Sequence, residues 1–395
     1  MYDTIIIGAG AVGNYLAGRL AQLGYKVLVL EKKASAGHDV CCTGIVSKEC
    51  LDLLQLDSNL IFRQVSSARF LAPSGKPLKL WRSHKVAYII DRPSLNLALA
   101  DRAQKSGVCY LFGAQVTDIQ AGVENLQVSV NDGGRRRLFE ADTAVIATGF
   151  GSSLPCRLGL GEIKHFVIGA QAEVNMTNPD EVEIYFDQRL APGGFAWLVP
   201  TSENRGLAGL LTYQQPEENL NNFLSYLKTQ GNITSTEVTL SYGAIPLRPL
   251  PRTYTDRILV VGETAGQVKT TTGGGIYYGL LCADIAADTL HRAFRAHDFS
   301  ESRLAAYQKE WQARLGKELQ IGYWAHSLFR KLDNRQIEWL HNFTNKSGIP
   351  QFIAELDDFS FDWHSEIILK TLKHLAFASP TRAIEILREI NATTN

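Results

Sequence analysis

Apolar positions change their period several times along this chain, and each change marks a piece of the fold. Residues 4–7 form an unbroken β-branched run, the mark of a strand buried on both faces. A glycine-rich turn follows, then a helical pattern over 14–23 that Gly24 stops, and then a second buried strand over 25–30 ending at Glu31. Residues 48–54 read as a short helix, and 66–80 as short alternating strands about a Pro73-Ser74-Gly75 turn. The stretch 88–93 ends a strand, and Pro93 suits the first turn of a helix over 94–107, whose stripe is Leu95, Leu99 and Ala103. Short strands are predicted over 108–112, 116–120, 126–131 and 137–140, with a separate buried strand over 144–147.

From 166 to 212 the period becomes two. Phe166, Ile168, Ala170 and Ala172 alternate, as do Val182, Ile184 and Phe186, and then Phe195, Trp197 and Val199. That alternation predicts an antiparallel sheet and a second domain. A helix over 216–230 and a strand over 237–243 belong to it, and Leu250-Pro251 marks the return to the first domain. A core strand is expected over 257–261, a loop over 269–275 and a long apolar helix over 276–294. From Ser302 the pattern is helical throughout. Ser379-Pro380 reads as a cap and first turn between two short amphipathic helices, one carrying Ile368, Leu372 and Leu375, the other Ile384 and Leu387.

Composition narrows the class. The chain has 395 residues, 45% of them hydrophobic, enough for a large core divided among two or three domains. Basic and acidic residues number 40 each, so no net positive field exists to hold nucleic acid. Cys41, Cys42, Cys50, Cys109, Cys156 and Cys282 form no C-x-x-C pair and no disulfide framework, which fits a reducing compartment. A core strand at residue 2 leaves no room for a signal peptide, and no apolar run approaches the roughly 18 residues that span a bilayer. The expected setting is cytoplasmic, with peripheral contact at a membrane surface still open. The oligomeric state is not written in the sequence.

The chemistry begins at the turn Gly8-Ala9-Gly10-Ala11-Val12-Gly13. Gly8 serves a tight turn, Gly10 lets a pyrophosphate approach the backbone, and Gly13 lets helix and strand pack closely. The helix that follows offers free N–H groups and a partial positive charge to an anion. Glu31 stands where an acid accepts both hydroxyls of an adenosine ribose and repels a 2′-phosphate, so the nucleotide is FAD or NAD rather than NADP. The expected fold is therefore α/β, with a Rossmann-type nucleotide-binding domain built from the discontinuous segments 1–63, 88–163 and 250–299. An antiparallel substrate domain comes from 64–87 and 164–249, and a helical region from 300–395.

Several stretches together resemble a known family. The fingerprint, Asp91-Arg92, Ala147-Thr148-Gly149 and the VGETAG stretch around Gly262 are similar to the FAD contacts of flavoproteins with the p-hydroxybenzoate hydroxylase fold. Within that group, Cys42-Thr43-Gly44, PGGFAWLVP at 192–200 and AGQVKTTTGGGIYYGLL at 265–281 resemble the geranylgeranyl reductases. The family's usual Asp after the strand glycine is here Glu263. Its glycine-x-glycine motif reads Gly206-Leu207-Ala208-Gly209.

The resemblance covers about residues 1–300. It implies an FAD cofactor held by Gly8, Gly10, Ala11, Gly13, Glu31, Cys42, Thr43, Gly44, Arg92, Ala147, Thr148, Gly149, Gly262, Glu263, Gly273, Gly274, Gly275 and Ile276. It further implies hydride transfer to C=C bonds of an isoprenoid lipid, with Cys42 as the catalytic candidate, lining the flavin–substrate contact or relaying a proton, and Phe195, Trp197 and Tyr277 lining the channel.

The residue types agree with this. Glu263, at a strand end, is placed to accept from a ribityl hydroxyl. The side-chain-free Gly273–Gly275 lets backbone lie against a flavin, and the N–H groups opening the next helix would face its pyrimidine edge. No second G-x-G-x-x-G occurs, so the electrons must come from outside, from NAD(P)H or a ferredoxin-like carrier. No metal is called for. Cys41 is expected to point away from the site. Two other functions remain in view, a monooxygenase of an aromatic or polyketide-like substrate and a flavin-binding redox module without turnover.

Overall fold

The computed structural model describes residues 1–38, 40–177, 180–356 and 359–378. The predicted Ser379-Pro380 pair and the helix with Ile384 and Leu387 lie outside the described residues; the helix preceding them is Ser365–Ala378.

The first sheet has eight strands. Its main path runs Tyr254–Thr255, Ile258–Val260, Arg135–Ile146, Tyr2–Ile7, Val27–Glu31, Cys109–Phe112, and four of its five pairings are parallel. Ala114–Ala121 and Leu126–Asp132 add an antiparallel meander on Arg135–Ile146. Both faces of the parallel part are covered, which is why its strands read as unbroken apolar runs. On one face Ile6, Val29, Val145 and Leu259 pack under the helices Ala11–Gln22 and Ile276–Ala296. On the other, Ile5, Ile7, Leu28 and Ile146 pack with Val128, Val130 and Leu154.

The sequence suggests two strands at 137–140 and 144–147, but the chain forms one, Arg135–Ile146. Its first half belongs to the wet meander and its second half to the dry sheet. The polar residues between them look like a loop only in sequence. Thr143 is buried, its hydroxyl 2.8 Å from that of Thr4, and the Asp142 carbonyl accepts a bond from Arg257.

The second sheet has seven strands in the order Leu240–Pro246, Phe166–Asn175, Arg205–Thr212, Ala196–Pro200, Val182–Tyr185, Ser67–Leu71, Pro77–Trp81. All neighbours are antiparallel except Val182–Tyr185 with Ser67–Leu71. The strand expected over 237–243 lies three residues later because its register on Phe166–Asn175 runs from Ala172↔Leu240 to Phe166↔Pro246. One face buries Ala170, Ala172, Leu198 and Leu210 against Leu220, Phe223, Leu224 and Leu227 of the helix Pro216–Thr229. The opposite face turns toward the first domain. A small sheet, Ile45–Val46, Ala87–Ile90 and Ile61–Val65, has strands on both sides of Ser67–Leu71 and Pro77–Trp81 in chain order.

After residue 300 the described residues form the helices Glu301–Phe329, Asn334–Lys346, Ile349–Glu355 and Ser365–Ala378. The first is anchored by Leu304, Tyr307, Trp311, Leu315 and Leu319, a buried stripe at helical spacing. Among the described residues, no helix is long and apolar enough to cross a membrane.

Candidate active site

The three fingerprint glycines are required for three different reasons. Gly8 has a φ of +111°, and a side chain there would overlap the carbonyl of Ala147 on the neighbouring strand. A β-carbon on Gly13 would overlap the Gly8 carbonyl oxygen, so helix and turn touch backbone to backbone. Gly10 is neither strained nor crowded: its φ is −73° and a β-carbon would meet nothing within 4 Å. The space over Gly10 is open at the N-terminus of Ala11–Gln22. Glu31 accepts 2.7 Å from the Ala9 amide and 2.9 Å from the Lys33 amide, which holds its carboxylate at the rim of the same turn. Asn14 is a missed contributor. Buried in the first helical turn, it donates to the carbonyls of Ala9 and Asn96 and accepts from Tyr110. A polar residue at a core position of that helix was the available signal.

Asp91 caps the helix Arg92–Lys105, accepting from the Ser94 amide at 3.1 Å and the Ser94 hydroxyl at 2.6 Å. Arg92 thereby starts inside the protein. It is 9% exposed and donates to Asn96 Oδ1 at 3.1 Å, while its buried Nε has no partner among the described residues. Gly44, with φ +74°, lies against Arg92, since a β-carbon there would come 3.0 Å from Arg92 Cγ. The loop holding Gly44 joins the two domains. Thr43 donates to Gln171 on the second sheet at 2.8 Å, and Cys41 Sγ lies 3.5 Å from the Ser241 hydroxyl, beside Gly243. Cys41 therefore faces the second sheet instead of turning away, while Cys42 is half-buried between these two anchors. Burial raises the Cys41 pKa, the Ser241 bond opposes this, and Cys42 and Glu263 raise it further, so the Cys41 thiol stays protonated.

Glu263 lies in the turn Gly262–Ala265 that ends the strand Ile258–Val260. The turn is fastened from behind. Gln267 accepts from the Gly262 amide and donates to Tyr307, whose hydroxyl donates to the Val260 carbonyl. Thr264 donates to the Gly149 carbonyl at 3.1 Å and lies 3.3 Å from the Thr148 hydroxyl, which brings the Ala147-Thr148-Gly149 end alongside. The Glu263 carboxylate sits between Gly149 and Gly275. It is surrounded by protein yet keeps exposed surface, and no donor among the described residues engages it. Desolvation raises its pKa, against the pull of the Arg92 charge.

The 269–275 loop closes on itself. The Lys269 amide donates to the Gly274 carbonyl at 2.9 Å and the Gly273 amide to the Lys269 carbonyl at 2.8 Å. Gly275 precedes the helix Ile276–Ala296. Gly273, with φ +76°, meets the second sheet, where its β-carbon would come 3.1 Å from Ile245 Cδ1 and 3.7 Å from Leu211 Cδ1.

Ile245 and Leu211 belong to an apolar cluster with Val167, Leu247, Phe195, Trp197, Tyr213 and Tyr323. Trp197 packs against Gly209, where any side chain would collide with the indole, and its buried Nε1 has no partner among the described residues. Phe70, Phe186, Phe195 and Trp197 continue as an aromatic row with centroids 6.0, 6.3 and 5.9 Å apart, and Phe329 joins it 5.3 Å from Phe186. Phe70 and Phe329 were not marked by the sequence, because they reach the row from distant segments. Tyr277 does not join it; its ring packs edge-on against Trp363 at 6.4 Å.

A glycine-rich turn in one layer and the apolar side of an antiparallel sheet in another, with the Gly273–Gly275 backbone against that sheet, is the fold shared with FAD-dependent flavoproteins. The chain belongs to the lycopene cyclase protein family, whose sequence profile matches residues 3–346. It is 28% identical over 342 residues to a digeranylgeranylglycerophospholipid reductase of Methanocaldococcus jannaschii, covering 84% of this chain and 86% of that one. A geranylgeranyl bacteriochlorophyll reductase-like structure from Thermoplasma acidophilum matches with a TM-score of 0.85 at 21% identity, over 98% of this chain and 99% of that one. The p-nitrophenol 4-monooxygenase of Pseudomonas putida shares the fold with a TM-score of 0.71 at 14% identity, over 90% and 96% of the two chains.

Proposed function

We propose that this protein is an FAD-dependent reductase that saturates C=C bonds in the polyprenyl chain of an isoprenoid lipid. The observation that carries the reading is the junction of Gly273 with Ile245 and Leu211, which sets the side-chain-free end of the loop, Gly273–Gly275, against an apolar wall. A small polar ring would find few partners on that wall, whereas a hydrocarbon gains ~0.8 kcal/mol per buried CH₂. A chain of about twenty carbons therefore offers well over ~10 kcal/mol of gross burial, enough to draw a tail from a membrane surface. The relatives named as reductases of geranylgeranyl-bearing lipids support the same substrate class.

FAD fits the residues present. Open space over Gly10 accepts a pyrophosphate at the helix N-terminus, and the unpartnered Arg92 Nε is a buried donor for an anion or carbonyl. Glu31 is set to take the ribose hydroxyls and Glu263 a ribityl hydroxyl. When bound, the cofactor supplies a hydride for one carbon of the double bond. Cys42, half-buried on the loop joining both domains, is the residue assigned to hold a proton at Sγ for the neighbouring carbon. The row from Phe70 to Trp197 orients the chain and excludes water. Electrons reach the site from an external donor, NAD(P)H or a ferredoxin-like protein.

Glu31→Ala is expected to weaken FAD binding by ~1–3 kcal/mol, the value of charge-assisted hydrogen bonds, as measured by fluorescence titration of the cofactor-free protein. Unchanged affinity would remove Glu31 from the ribose.

The reaction itself is tested anaerobically. Chemically reduced protein mixed with a geranylgeranyl-bearing lipid should become oxidised, and mass spectrometry should show a product heavier by two hydrogens for each bond reduced. Reoxidation only on admission of oxygen, with a product one oxygen heavier, would replace this reading with a monooxygenase.

A further inference from the structure

The loop that meets the wall is held from the far end of the chain. Lys269 and Asp362 form an ion pair at 2.9 Å with side chains only 5% and 7% exposed. Lys269 Nζ also donates to the Phe361 carbonyl at 2.8 Å and lies 4.4 Å from the centre of the Phe361 ring. Two residues on, the Thr271 hydroxyl is 2.8 Å from His364 Nδ1, and His364 Nε2 is 2.9 Å from the Phe361 carbonyl. Burial and the Lys269 charge lower the His364 pKa to about 3, so the ring is neutral. Its Nε2–H then donates to Phe361, and Nδ1 accepts from Thr271.

The 361–365 segment is itself anchored. Glu318 of the helix Glu301–Phe329 accepts from the amides of His364 and Ser365 and from the Ser365 hydroxyl, and Tyr278 donates to the Asp362 carbonyl. On its remaining side the loop rests on the same helix at Gly322, where a β-carbon would come 2.5 Å from Thr270 Oγ1. A buried ion pair is weak evidence of net stability, because apolar residues of like volume often do as well. Its distinctive effect is to select one arrangement of the segments it joins.

We infer that Lys269 and Asp362 are positioning residues, whose buried pair fixes the backbone of Gly273–Gly275 in the orientation it presents to the flavin. The inference rests on the FAD reading above. Among the described residues, the pair makes no hydrogen bond or ion pair with the proposed nucleotide turn or the aromatic row.

The test uses the full chain with Asp362→Asn, Lys269→Met and the paired K269M/D362L variant. The paired variant leaves no lone buried charge and serves if either single variant fails to fold. Hydrogen exchange of the 270–275 amides in cofactor-free protein should accelerate at least about tenfold in all variants that fold, with the 8–13 turn unchanged. In the FAD-loaded protein the visible circular dichroism and the midpoint potential should shift, and kcat should fall by a larger factor than KM changes. Paired-variant protein with parental loop exchange, potential and kcat would overturn the inference. Failure of the parent itself to bind FAD would instead strike the cofactor reading, while the exchange measurement would still report on the pair.

Discussion

Gly10→Ala is expected to yield protein that folds and melts like the parent but binds FAD at least about a hundredfold more weakly. The backbone at Gly10 is extended, and alanine adopts that conformation without strain. Among the described residues, no atom beyond its chain neighbours lies within 4 Å of the added methyl. The methyl instead occupies the space where a pyrophosphate must lie against the helix N-terminus, forfeiting contacts worth a few kcal/mol. Gly13→Ala should do the opposite, because its methyl is driven into the Gly8 carbonyl oxygen between helix and strand. Overpacking of that kind costs about 1–3 kcal/mol or more, so a lowered melting temperature should precede any loss of cofactor. Thermal melts and FAD titration of the two variants separate the contributions. Parental FAD affinity in Gly10→Ala would mean that no phosphate lies on this turn.

Cys42→Ala is expected to lower kcat by roughly a hundredfold, the usual scale for losing a positioned proton donor, while FAD affinity changes less than about twofold. Cys41→Ala supplies the comparison. Its thiol is held on the second sheet by Ser241, has a raised pKa and lies beside Gly243, so its removal should cost far less turnover. Single-turnover reduction of a lipid substrate by pre-reduced enzyme isolates the chemical step from electron delivery. Equal rates for parent and Cys42→Ala would leave Cys42 with a packing role.

What could be read in the sequence was local. The fingerprint, the terminal Glu31 and the glycine loop each lie within about thirty residues, and periodicity separates the runs buried on both faces from the alternating sheet. Features that depend on partners distant in sequence could not be read in this way. The 137–140 and 144–147 runs are one strand because Thr143 meets Thr4, 139 residues away. Cys41 faces inward because Ser241 and Gly243 are there to receive it. Tyr277 looked equivalent to the other aromatic candidates, but the helix start turns its ring to Trp363 and away from the row. Gly209 is explained only when Trp197 is seen packed against it.

The anchoring of the glycine loop also constrains the order of biosynthesis. The dinucleotide turn can be complete once the strand Arg135–Ile146 and the Ala147 behind Gly8 have been made, but Lys269 receives its partner 93 residues later. Domains fold largely in the order of synthesis, at ~5–20 residues per second. During translation there is thus an interval of several seconds in which the turn is complete and the loop is still loose. FAD captured early would be held by its adenosine end, and its ring end would be seated only as the last helices emerge. A ribosome stalled after about residue 340 should carry a nascent chain that binds ADP or FAD weakly, and release of the full chain should tighten only the binding of FAD.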